Sequence, residues 1–260
     1  MDKIRIIGGN RLKGEVQISG SKNAALPLLA LTVLGNEPCT IHNVPQLEDI
    51  SNMIRILEHM GAKVKREGQT ITVDAKKLTS HEAPYDIVRK MFMGPLLAKY
   101  GEAKVSLPGG CAIGVRPIDL HLKAFEALGA KIQIEEGYVL AKGAQLKGAK
   151  IFFDKITVTG TMNAMMAAAC AEGETILQNC AKEPELICFA EAMRQMGVKV
   201  SGDVTDTICI QGIKKIGGFE IHNIPDRIET GTYMVGAAMT SGDVYLKNTD
   251  PTLLESVNAK

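Results

Sequence analysis

The segment 107–121, LPGGCAIGVRPIDLH, places a cysteine in a glycine-rich loop. The Pro-Gly-Gly sequence before Cys111 predicts a tight and mobile loop. Pro117 suits the first position of a following helix, and Arg116 precedes it. A helix N-terminus and a guanidinium both favour a thiolate, so Cys111 is a candidate reactive thiol. A loop cysteine without a role is the alternative, because the sequence shows no histidine-based nucleophile pair.

A second candidate lies at the start of an apolar helix, in SGSKNAALP. Lys22 and Asn23 open this helix, where a lysine opposes the helix macrodipole. A lysine at this position is explained if an anion binds there, held by backbone N–H groups and the ammonium. A solvated lysine without a ligand is the alternative.

The segment 154–164, DKITVTGTMNA, opens a matching helix in a later part of the chain. Thr157, Thr159 and Thr161 offer hydroxyl groups, and Gly160 lets a ligand approach the backbone. Ordinary N-capping by threonine explains the same residues, and without further context it is the favoured interpretation.

A fourth cluster, PDRIETG at 225–231, opens the next helix with Asp226, Arg227 and Glu229. It is either part of a site or a surface ion-pair cluster. The sequence is equally compatible with His121 as a residue on the helix face and as a ligand. Because the inner helices recur at equivalent places, we expect several positive helix ends to face one cleft. That arrangement predicts an anionic substrate, and phosphorylated substrates fit best.

Composition narrows the class of protein. The chain has 260 residues and a net charge of +1, so nothing indicates binding to nucleic acid or to an anionic membrane. The sequence shows no signal peptide and no stretch near the roughly 20 apolar residues of a membrane span. Six cysteines without a CxxC pair indicate free thiols in a reducing cytoplasm rather than disulfides or zinc.

An internal repeat organises the chain. MGAKV ends at Val64, LGAKI at Ile132 and MGVKV at Val200, at intervals of 68 residues. Each unit predicts an apolar helix ending at a glycine C-cap, a short strand, an amphipathic helix and a strand pair. Helices that are apolar on every side, such as NAALPLLALTVL, belong at the centre of a bundle. The fourth unit stops early, so we expect an incomplete copy of a longer protein.

Several of these motifs, in this order, resemble the UDP-N-acetylglucosamine enolpyruvyl transferases (1-carboxyvinyltransferases). The motifs are SGSKNAALPLL, LPGGCAIGVRPIDLH, EEGYV, LKGA and PDRIETGT, and the match runs through the whole chain. The resemblance implies an α/β fold, an inside-out α/β barrel of repeated units in two lobes. It implies one complete lobe, 22–225, a second lobe only begun at 226–260, and an N-terminal strand segment, 1–21, belonging to that second lobe.

The resemblance also implies an activity. The family transfers the enolpyruvyl group of phosphoenolpyruvate to the 3'-hydroxyl of UDP-N-acetylglucosamine and releases phosphate, the first committed step of peptidoglycan synthesis in the bacterial cytoplasm. No metal and no organic cofactor is expected, and the expected partners are these two small molecules.

Carried over residue by residue, the resemblance assigns specific roles. Lys22, Asn23 and Arg116 match phosphoenolpyruvate contacts, and Cys111 matches a proton donor that forms a phosphoenolpyruvate adduct and is alkylated by fosfomycin. Two stretches match contacts to the nucleotide sugar: Arg116, Pro117, Ile118, Asp119 and Leu120, and Lys155, Ile156, Thr157 and Val158.

The sequence departs from the family pattern in two places. An Arg-Ala-Ser stretch expected just after Met91 is missing, which removes a substrate-binding arginine and more than one turn of an inner helix. The family's catalytic aspartate lies beyond the last residue and has no counterpart. A non-catalytic remnant that at best binds the nucleotide sugar is therefore the alternative, and a separate chain that supplies the missing units is a third possibility.

Overall fold

The computed structural model describes residues 3–83, 89–106 and 118–260. Three successive units share one order of elements: a leading strand, an inner helix, a strand, an outer helix and a β-hairpin. The first has β1 (Lys13–Gln17), α1 (Lys22–Leu31), β2 (Cys39–His42), α2 (Glu48–His59), β3 (Lys63–Glu67) and β4 (Thr70–Asp74). The second has β5 (Glu82–Ala83), α3 (Met93–Tyr100), β6 (Glu102–Ser106), α4 (Asp119–Ala127), β7 (Lys131–Glu135) and β8 (Tyr138–Lys142). The third has β9 (Lys150–Phe152), α5 (Val158–Ala168), β10 (Glu174–Gln178), α6 (Pro184–Gln195), β11 (Lys199–Ser201) and β12 (Thr207–Gln211).

A fourth set of elements follows. It consists of β13 (Glu220–His222), α7 (Arg227–Met239), β14 (Asp243–Lys247) and α8 (Glu255–Asn258). We call residues 18–225 the three-unit body, and residues 3–17 with 226–260 the terminal unit.

Each unit of the three-unit body carries one four-stranded sheet. The sheet orders are β13-β2-β4-β3, β5-β6-β8-β7 and β9-β10-β12-β11. In each, the leading strand pairs in parallel with the strand after the inner helix, and the hairpin adds two antiparallel strands. The repeat inferred from the 68-residue spacing therefore corresponds to a repeated structural unit.

Two leading strands exchange their places. The parallel partner of β13 is β2 rather than β14, and the partner of β1 is β14 rather than β2. The chain consequently crosses itself, with 18–21 running beside 223–226. This crossing adds β13 to the sheet of the first unit and leaves β1 and β14 as a separate two-stranded sheet.

The inner helices form the centre of the three-unit body. Eight of the ten residues of α1 and nine of the eleven residues of α5 are buried. The outer helix α2 is amphipathic and buries Ile50, Met53, Ile56 and Leu57 on one face. This confirms the predicted arrangement, with all-round apolar helices inside and amphipathic helices around them.

The predicted glycine C-caps hold at only one inner helix. Gly101 ends α3 in the left-handed conformation, at φ 73°, and its N–H donates to the carbonyl of Leu97. The prediction is wrong for α5 and α7, whose C-cap residues are Ala169 and Thr240. After α1 the chain continues as a 3-10 turn to Gly35, at φ −61°. In these cases the following residues reverse the chain without a left-handed glycine at the cap.

A lysine at the end of α3 joins the first two units. The amine of Lys99 donates to the carbonyls of Val33 at 2.8 Å, Gly35 at 3.0 Å and Ala75 at 3.0 Å. Burial of this amine lowers its pKa. A cation suits this place because the carbonyls at a helix C-terminus carry partial negative charge. Nothing in the periodicity of the sequence had singled it out.

Candidate functional site

Lys22 begins α1, and its side chain pairs with an acidic residue of the neighbouring outer helix. Ser21 caps the helix, and its hydroxyl accepts from the N–H of Ala24 at 3.3 Å. The amine of Lys22 lies 2.8 Å from Asp49 Oδ2, and both side chains are about one third exposed, at 38% and 35%. Asp49 thus offsets the repulsion between a lysine and the positive end of α1. Asn23, the next residue, is exposed.

The chain crossing positions this helix start. The backbone N–H of Ser21 donates to Ile224 at 2.8 Å, and Gly20 forms an antiparallel bridge with Pro225. A side chain cannot be placed on Gly20, because its Cβ would lie 1.6 Å from the carbonyl oxygen of Asn43. A glycine is therefore required for residue 20 to approach the backbone of Asn43 this closely.

A buried asparagine also stabilises the chain crossing. Asn223 is fully buried, and its side-chain amide donates to the carbonyls of Ser21 at 3.0 Å and Asn43 at 3.1 Å. The amide of Asn43 donates in return to the carbonyl of Asn223 at 3.0 Å. The sequence carries a signal for this pair, since His-Asn-Val-Pro at 42–45 recurs as His-Asn-Ile-Pro at 222–225.

Asp226 links the N-termini of α1 and α7. One carboxylate oxygen accepts from the N–H groups of Ile228 at 2.9 Å and Glu229 at 3.0 Å, and so caps α7. The other accepts from the backbone N–H of Lys22 at 3.3 Å. A carboxylate of the chain itself therefore occupies part of the place where an anion was expected at the start of α1.

The other charged residues of this segment also have defined partners. Arg227 donates through Nε to both carboxylate oxygens of the buried Glu185, at 3.0 and 3.2 Å. Glu229 accepts from the N–H of Ser19 at 2.9 Å and from its hydroxyl at 2.6 Å. PDRIETG is thus a helix start tied to α6 and to the chain crossing, rather than an ion-pair cluster confined to the surface. Both positive helix ends carry acidic partners.

The threonine-rich helix entrance belongs to α5. The Thr157 hydroxyl accepts from the N–H of Gly160 at 3.2 Å, so this residue caps the helix. The hydroxyl of Thr161 is buried and donates to the Thr157 carbonyl at 2.6 Å. Before the cap, Lys155 and Ile156 are exposed, with 62% of Ile156 open to solvent. The hydroxyls of Thr157 and Thr161 make hydrogen bonds within the first turn of α5, in agreement with the N-capping interpretation. The two residues before Thr157 are exposed to solvent.

The residues 118–120 lie at the start of α4, which packs against α5. Ile118 is buried at the helix cap position, and Asp119 in the first turn is exposed. Lys123 of α4 forms an ion pair with Asp154, at 2.6 Å, next to the stretch 155–158. The two predicted sugar-binding stretches therefore belong to adjoining elements.

His121 sits inside this helix pair and not on its surface. Only 2% of the residue is exposed, and its Nδ1 lies 3.0 Å from the amide nitrogen of Asn163. Asn163 is fully buried, and its carbonyl oxygen accepts from the N–H of Gly94 at 2.7 Å. These two polar side chains connect α4 and α5 to the start of α3, which makes His121 a residue of the buried core.

Three of the predicted site residues, Cys111, Arg116 and Pro117, lie outside the described residues. A cavity of about 450 Å³ is lined by Arg194, Lys199, Cys209 and neighbouring residues of α6 and its sheet. It shares no residue with the predicted site. Within residues 3–83, 89–106 and 118–260, no group of three His, Cys, Asp or Glu side chains could hold a metal ion. No helix of that same part combines the length and apolar character required to cross a membrane.

The arrangement of units matches solved enolpyruvyl transferases. The enolpyruvyl transferase NikO from Streptomyces tendae matches with a TM-score of 0.75 and 22% identity, over 87% of this chain and 55% of that protein. An EPSP synthase from Acinetobacter baumannii matches with a TM-score of 0.74 and 22% identity, over 97% of this chain and 59% of that protein. The fold is therefore the α/β fold of enolpyruvyl transferases, present as part of an inside-out α/β barrel.

Sequence comparison then identifies the family. The profile of EPSP synthase (3-phosphoshikimate 1-carboxyvinyltransferase) matches residues 6–260, and the chain belongs to this family. Curated relatives named UDP-N-acetylglucosamine 1-carboxyvinyltransferase share 52% identity in Psychrobacter arcticus and 50% in Acinetobacter baylyi, over 99–100% of the chain. The chain spans 63–64% of the length of these two relatives.

The matched region is slightly longer in the relatives. The match to the Psychrobacter arcticus protein extends over 268 residues, against 260 in this chain, so the relative carries residues that this chain lacks. Helix α3 has eight residues, whereas α1 has ten and α5 has eleven. A deletion just after Met91 agrees with the short α3, and its position stays a prediction.

Proposed function

We propose that the protein acts in the transfer of the enolpyruvyl group from phosphoenolpyruvate to the 3'-hydroxyl of UDP-N-acetylglucosamine, with release of phosphate. The observation that carries this proposal is the identity of 50–52%, over essentially the whole chain, to relatives named for this donor group and this sugar. The chain spans 62–64% of the length of those relatives. The proposed substrates and reaction are therefore those of the complete fold.

Phosphoenolpyruvate would bind at the start of α1. The ammonium of Lys22, with Asn23 and Arg116, would balance the charge of the phosphate. The ion pair with Asp49 supports this role, because it holds the amine at the helix start in a half-exposed position that a ligand can reach. Asp49 is thus a proposed positioning residue.

The reaction would run by addition and elimination. Cys111 donates a proton to the methylene carbon of phosphoenolpyruvate, and the neighbouring carbon becomes oxocarbenium-like. The sugar hydroxyl attacks that carbon and loses its proton, forming a tetrahedral adduct. Loss of phosphate, with removal of a proton from the methyl carbon, restores the double bond in the product. The glycine-rich loop before Cys111 would close over the substrates.

The nucleotide sugar would lie along α4 and the entrance of α5. Arg116, Pro117, Ile118, Asp119 and Leu120 supply one proposed stretch, and Lys155, Ile156, Thr157 and Val158 the other. The packing of α4 against α5 and the ion pair between Lys123 and Asp154 support a common binding surface. Exposed Asp119 and Ile156 are available to a ligand there.

A binding-only role is the second candidate. The resemblance places the proton-accepting aspartate in the part of the relatives that this chain does not match. In that case the chain would bind the nucleotide sugar and release no phosphate. We propose that the complete reaction takes place in the cytoplasm, as a step of peptidoglycan synthesis. We also propose that fosfomycin alkylates Cys111.

The deciding experiment measures phosphate release by the purified chain with phosphoenolpyruvate, in the presence and absence of UDP-N-acetylglucosamine. The Cys111→Ala variant is the control, and calorimetric titration with UDP-N-acetylglucosamine is run on the same samples. Sugar-dependent release that is lost in the variant supports transfer by this chain. Binding of the sugar without release supports the second candidate, and neither binding nor release by folded protein contradicts both.

A further inference from the structure

The outer face of the first sheet carries two histidines at one end of a parallel strand pair. His42 is the last residue of β2, His222 is the last residue of β13, and the two lie side by side in the register of these strands. The preceding residues, Ile41 and Ile221, are buried in the core. Because side chains alternate along a strand, both histidines point to the outer face of the sheet. We call His42 and His222 the histidine pair.

The fold itself does not require histidine at these two positions. In the third unit, the equivalent last residues of the parallel strands are Phe152 and Gln178, and in the terminal unit they are Gln17 and Lys247. The residue at the end of each strand thus differs from unit to unit. A role in building the repeat therefore does not explain the histidine pair.

The two rings lie close enough to share a ligand. Their centroids are 6.2 Å apart, and their planes differ by 20°. The side chain of His42 is 35% exposed, and His222 is exposed as well. Two Zn–N bonds of about 2 Å each, added to the distance from each ring centre to its nitrogen, are of the same size as this separation. A metal ion therefore fits between the rings after a small rotation of the side chains.

The polar groups around the rings are compatible with a bound cation. Nδ1 of His42 lies 3.0 Å from the Thr70 hydroxyl, and its Nε2 lies 2.9 Å from Glu220 Oε1. When Nδ1 donates to Thr70, the lone pair of Nε2 is available to a metal ion. No described residue makes a hydrogen bond or ion pair with the ring of His222. The Glu220 side chain is 74% exposed and can move aside, and its negative charge favours a cation nearby.

We propose that the histidine pair binds a divalent transition-metal ion such as Zn²⁺, through one ring nitrogen of each residue. Imidazole nitrogen is a good ligand for Zn²⁺, Ni²⁺ and Cu²⁺, whereas Mg²⁺ and Ca²⁺ prefer oxygen ligands. The site shares no residue with the proposed substrate contacts at the start of α1 and along α4. This inference does not depend on the proposed function.

The number of protein ligands determines how firmly the ion is held. Within the described residues, no group of three His, Cys, Asp or Glu side chains could hold a metal ion, so the protein supplies two ligands and water completes the coordination. Structural zinc sites have four protein ligands. We therefore expect an exchangeable ion rather than one on which folding depends. The ion would join β13 to β2, directly before the segment 223–226 that takes part in the chain crossing.

The test titrates the purified, intact chain with Zn²⁺ by isothermal calorimetry at pH 7.5 and at pH 5.5, with Mg²⁺ for comparison. His42→Gln and His222→Gln each remove one ligand, and glutamine suits both positions because Gln178 and Gln17 occupy the equivalent ones. His59→Gln, at an exposed histidine of α2, is the matched control. Hydrogen exchange in the native chain, with and without Zn²⁺, shows where the ion binds.

We expect one Zn²⁺ ion whose affinity is unchanged in His59→Gln and falls by about tenfold to a hundredfold in each variant of the histidine pair. Zn²⁺ should slow exchange at the ends of β2 and β13. Binding should weaken at pH 5.5, because protons compete for the imidazole nitrogen atoms.

Three results would overturn the inference. The first is equal affinity in the native chain and in both variants of the histidine pair, since Zn²⁺ would then bind to other groups, such as thiols. The second is a loss of affinity in only one of these two variants, or in His59→Gln as well. The third is the absence of binding at pH 7.5, or unchanged exchange in β2 and β13 at saturating Zn²⁺, and it requires no variant.

Discussion

Lys22 shows how a residue that is poorly placed for helix stability can still be accommodated. Its charge opposes the dipole of α1, and Asp49 compensates from the first turn of α2, where a carboxylate also suits the dipole of its own helix. Both side chains are more than one third exposed, so water screens the pair and its contribution to stability is small. The arrangement favours positioning of the amine over stabilisation of the fold.

We therefore expect Asp49→Asn to change the free energy of unfolding by less than about 1 kcal/mol. Urea denaturation followed by circular dichroism measures this change. If the proposed function holds, the same variant weakens the binding of phosphoenolpyruvate, because the lysine amine is no longer held in one place. Glu48→Gln, in the same turn of α2 and not in contact with Lys22, is the matched control. A loss of several kcal/mol in Asp49→Asn would show that the pair is structural.

The surroundings of the buried cysteines make their thiols unreactive. Burial raises the pKa of Cys39, Cys180 and Cys188 to about 11, from an ordinary value of 9.0. The five described cysteines are all free, as the absence of a CxxC pair had predicted. A raised thiol pKa means that the folded chain keeps protons that the unfolded chain releases between pH 9 and 11.

Stability should consequently be independent of these thiols below pH 9 and fall as the pH rises from 9 to 11. For Cys188 the fall amounts to about 2 kcal/mol by pH 10.5, since each pKa unit corresponds to about 1.4 kcal/mol. The difference in unfolding free energy between the native chain and Cys188→Ala, measured at pH 8 and at pH 10.5, isolates this effect. An equal difference at the two pH values would contradict the raised pKa.

At the scale of elements, an asparagine recurs after the central strands. Asn43, Asn179 and Asn248 directly follow β2, β10 and β14, and each adopts a left-handed backbone with φ of 54–58°. Each side-chain amide donates, at 2.7–3.0 Å, to the carbonyl of the residue that follows the parallel neighbour strand. Asparagine suits this place because it tolerates the left-handed region and carries a donor.

Substitutions at Asn179 separate the contribution of its side-chain hydrogen bond from that of its left-handed backbone conformation. Asn179→Gly keeps the backbone conformation and removes the hydrogen bond, for a loss of about 1 kcal/mol. Asn179→Ala also adds the cost of a left-handed backbone, so we expect a total of about 2–3 kcal/mol. Urea denaturation of both variants tests this order. Equal losses would mean that the backbone conformation contributes nothing.

At the scale of the whole molecule, the three-unit body and the terminal unit differ in burial. The inner helices α1 and α5 are enclosed, whereas Thr230 is the only buried residue of α7. Local opening requires less free energy where fewer apolar contacts are lost. The two parts are joined at the chain crossing, through Asp226, Glu229 and the pair of Arg227 with Glu185.

We expect amide hydrogens of α7 and β14 to exchange at least a hundredfold faster than those of α1 and α5. Hydrogen exchange followed by mass spectrometry on the intact chain measures the difference. Helix α3 is the internal reference, because it lies within the three-unit body. Uniform protection from α1 to α7 would contradict the distinction and would indicate that the exposed side of α7 is covered, for instance by a second copy.

Local pattern predicted much of the fold and less of the site. The repeat of 68 residues and the all-round apolar helices gave the order of elements and the buried centre correctly. The glycine C-caps at α5 and α7 were wrong, because neighbouring residues such as Ser241, at φ 48°, reverse the chain instead. Lys99 and Asp49 were missed, since a single charged residue has no periodicity that distinguishes a buried amine or a partner from a solvated side chain.

The sequence by itself determined the unit, because apolar periodicity and turn residues act over distances of a few positions along the chain. Only the tertiary structure decided that β1 and β13 exchange their partner strands, and that Lys22 therefore meets Asp226, a residue 204 positions away. Pairing between strands depends on which strand edges remain free when distant parts of the chain come together, and no local pattern records that. The proposed site at the start of α1 would therefore depend on this crossing as much as on its own residues.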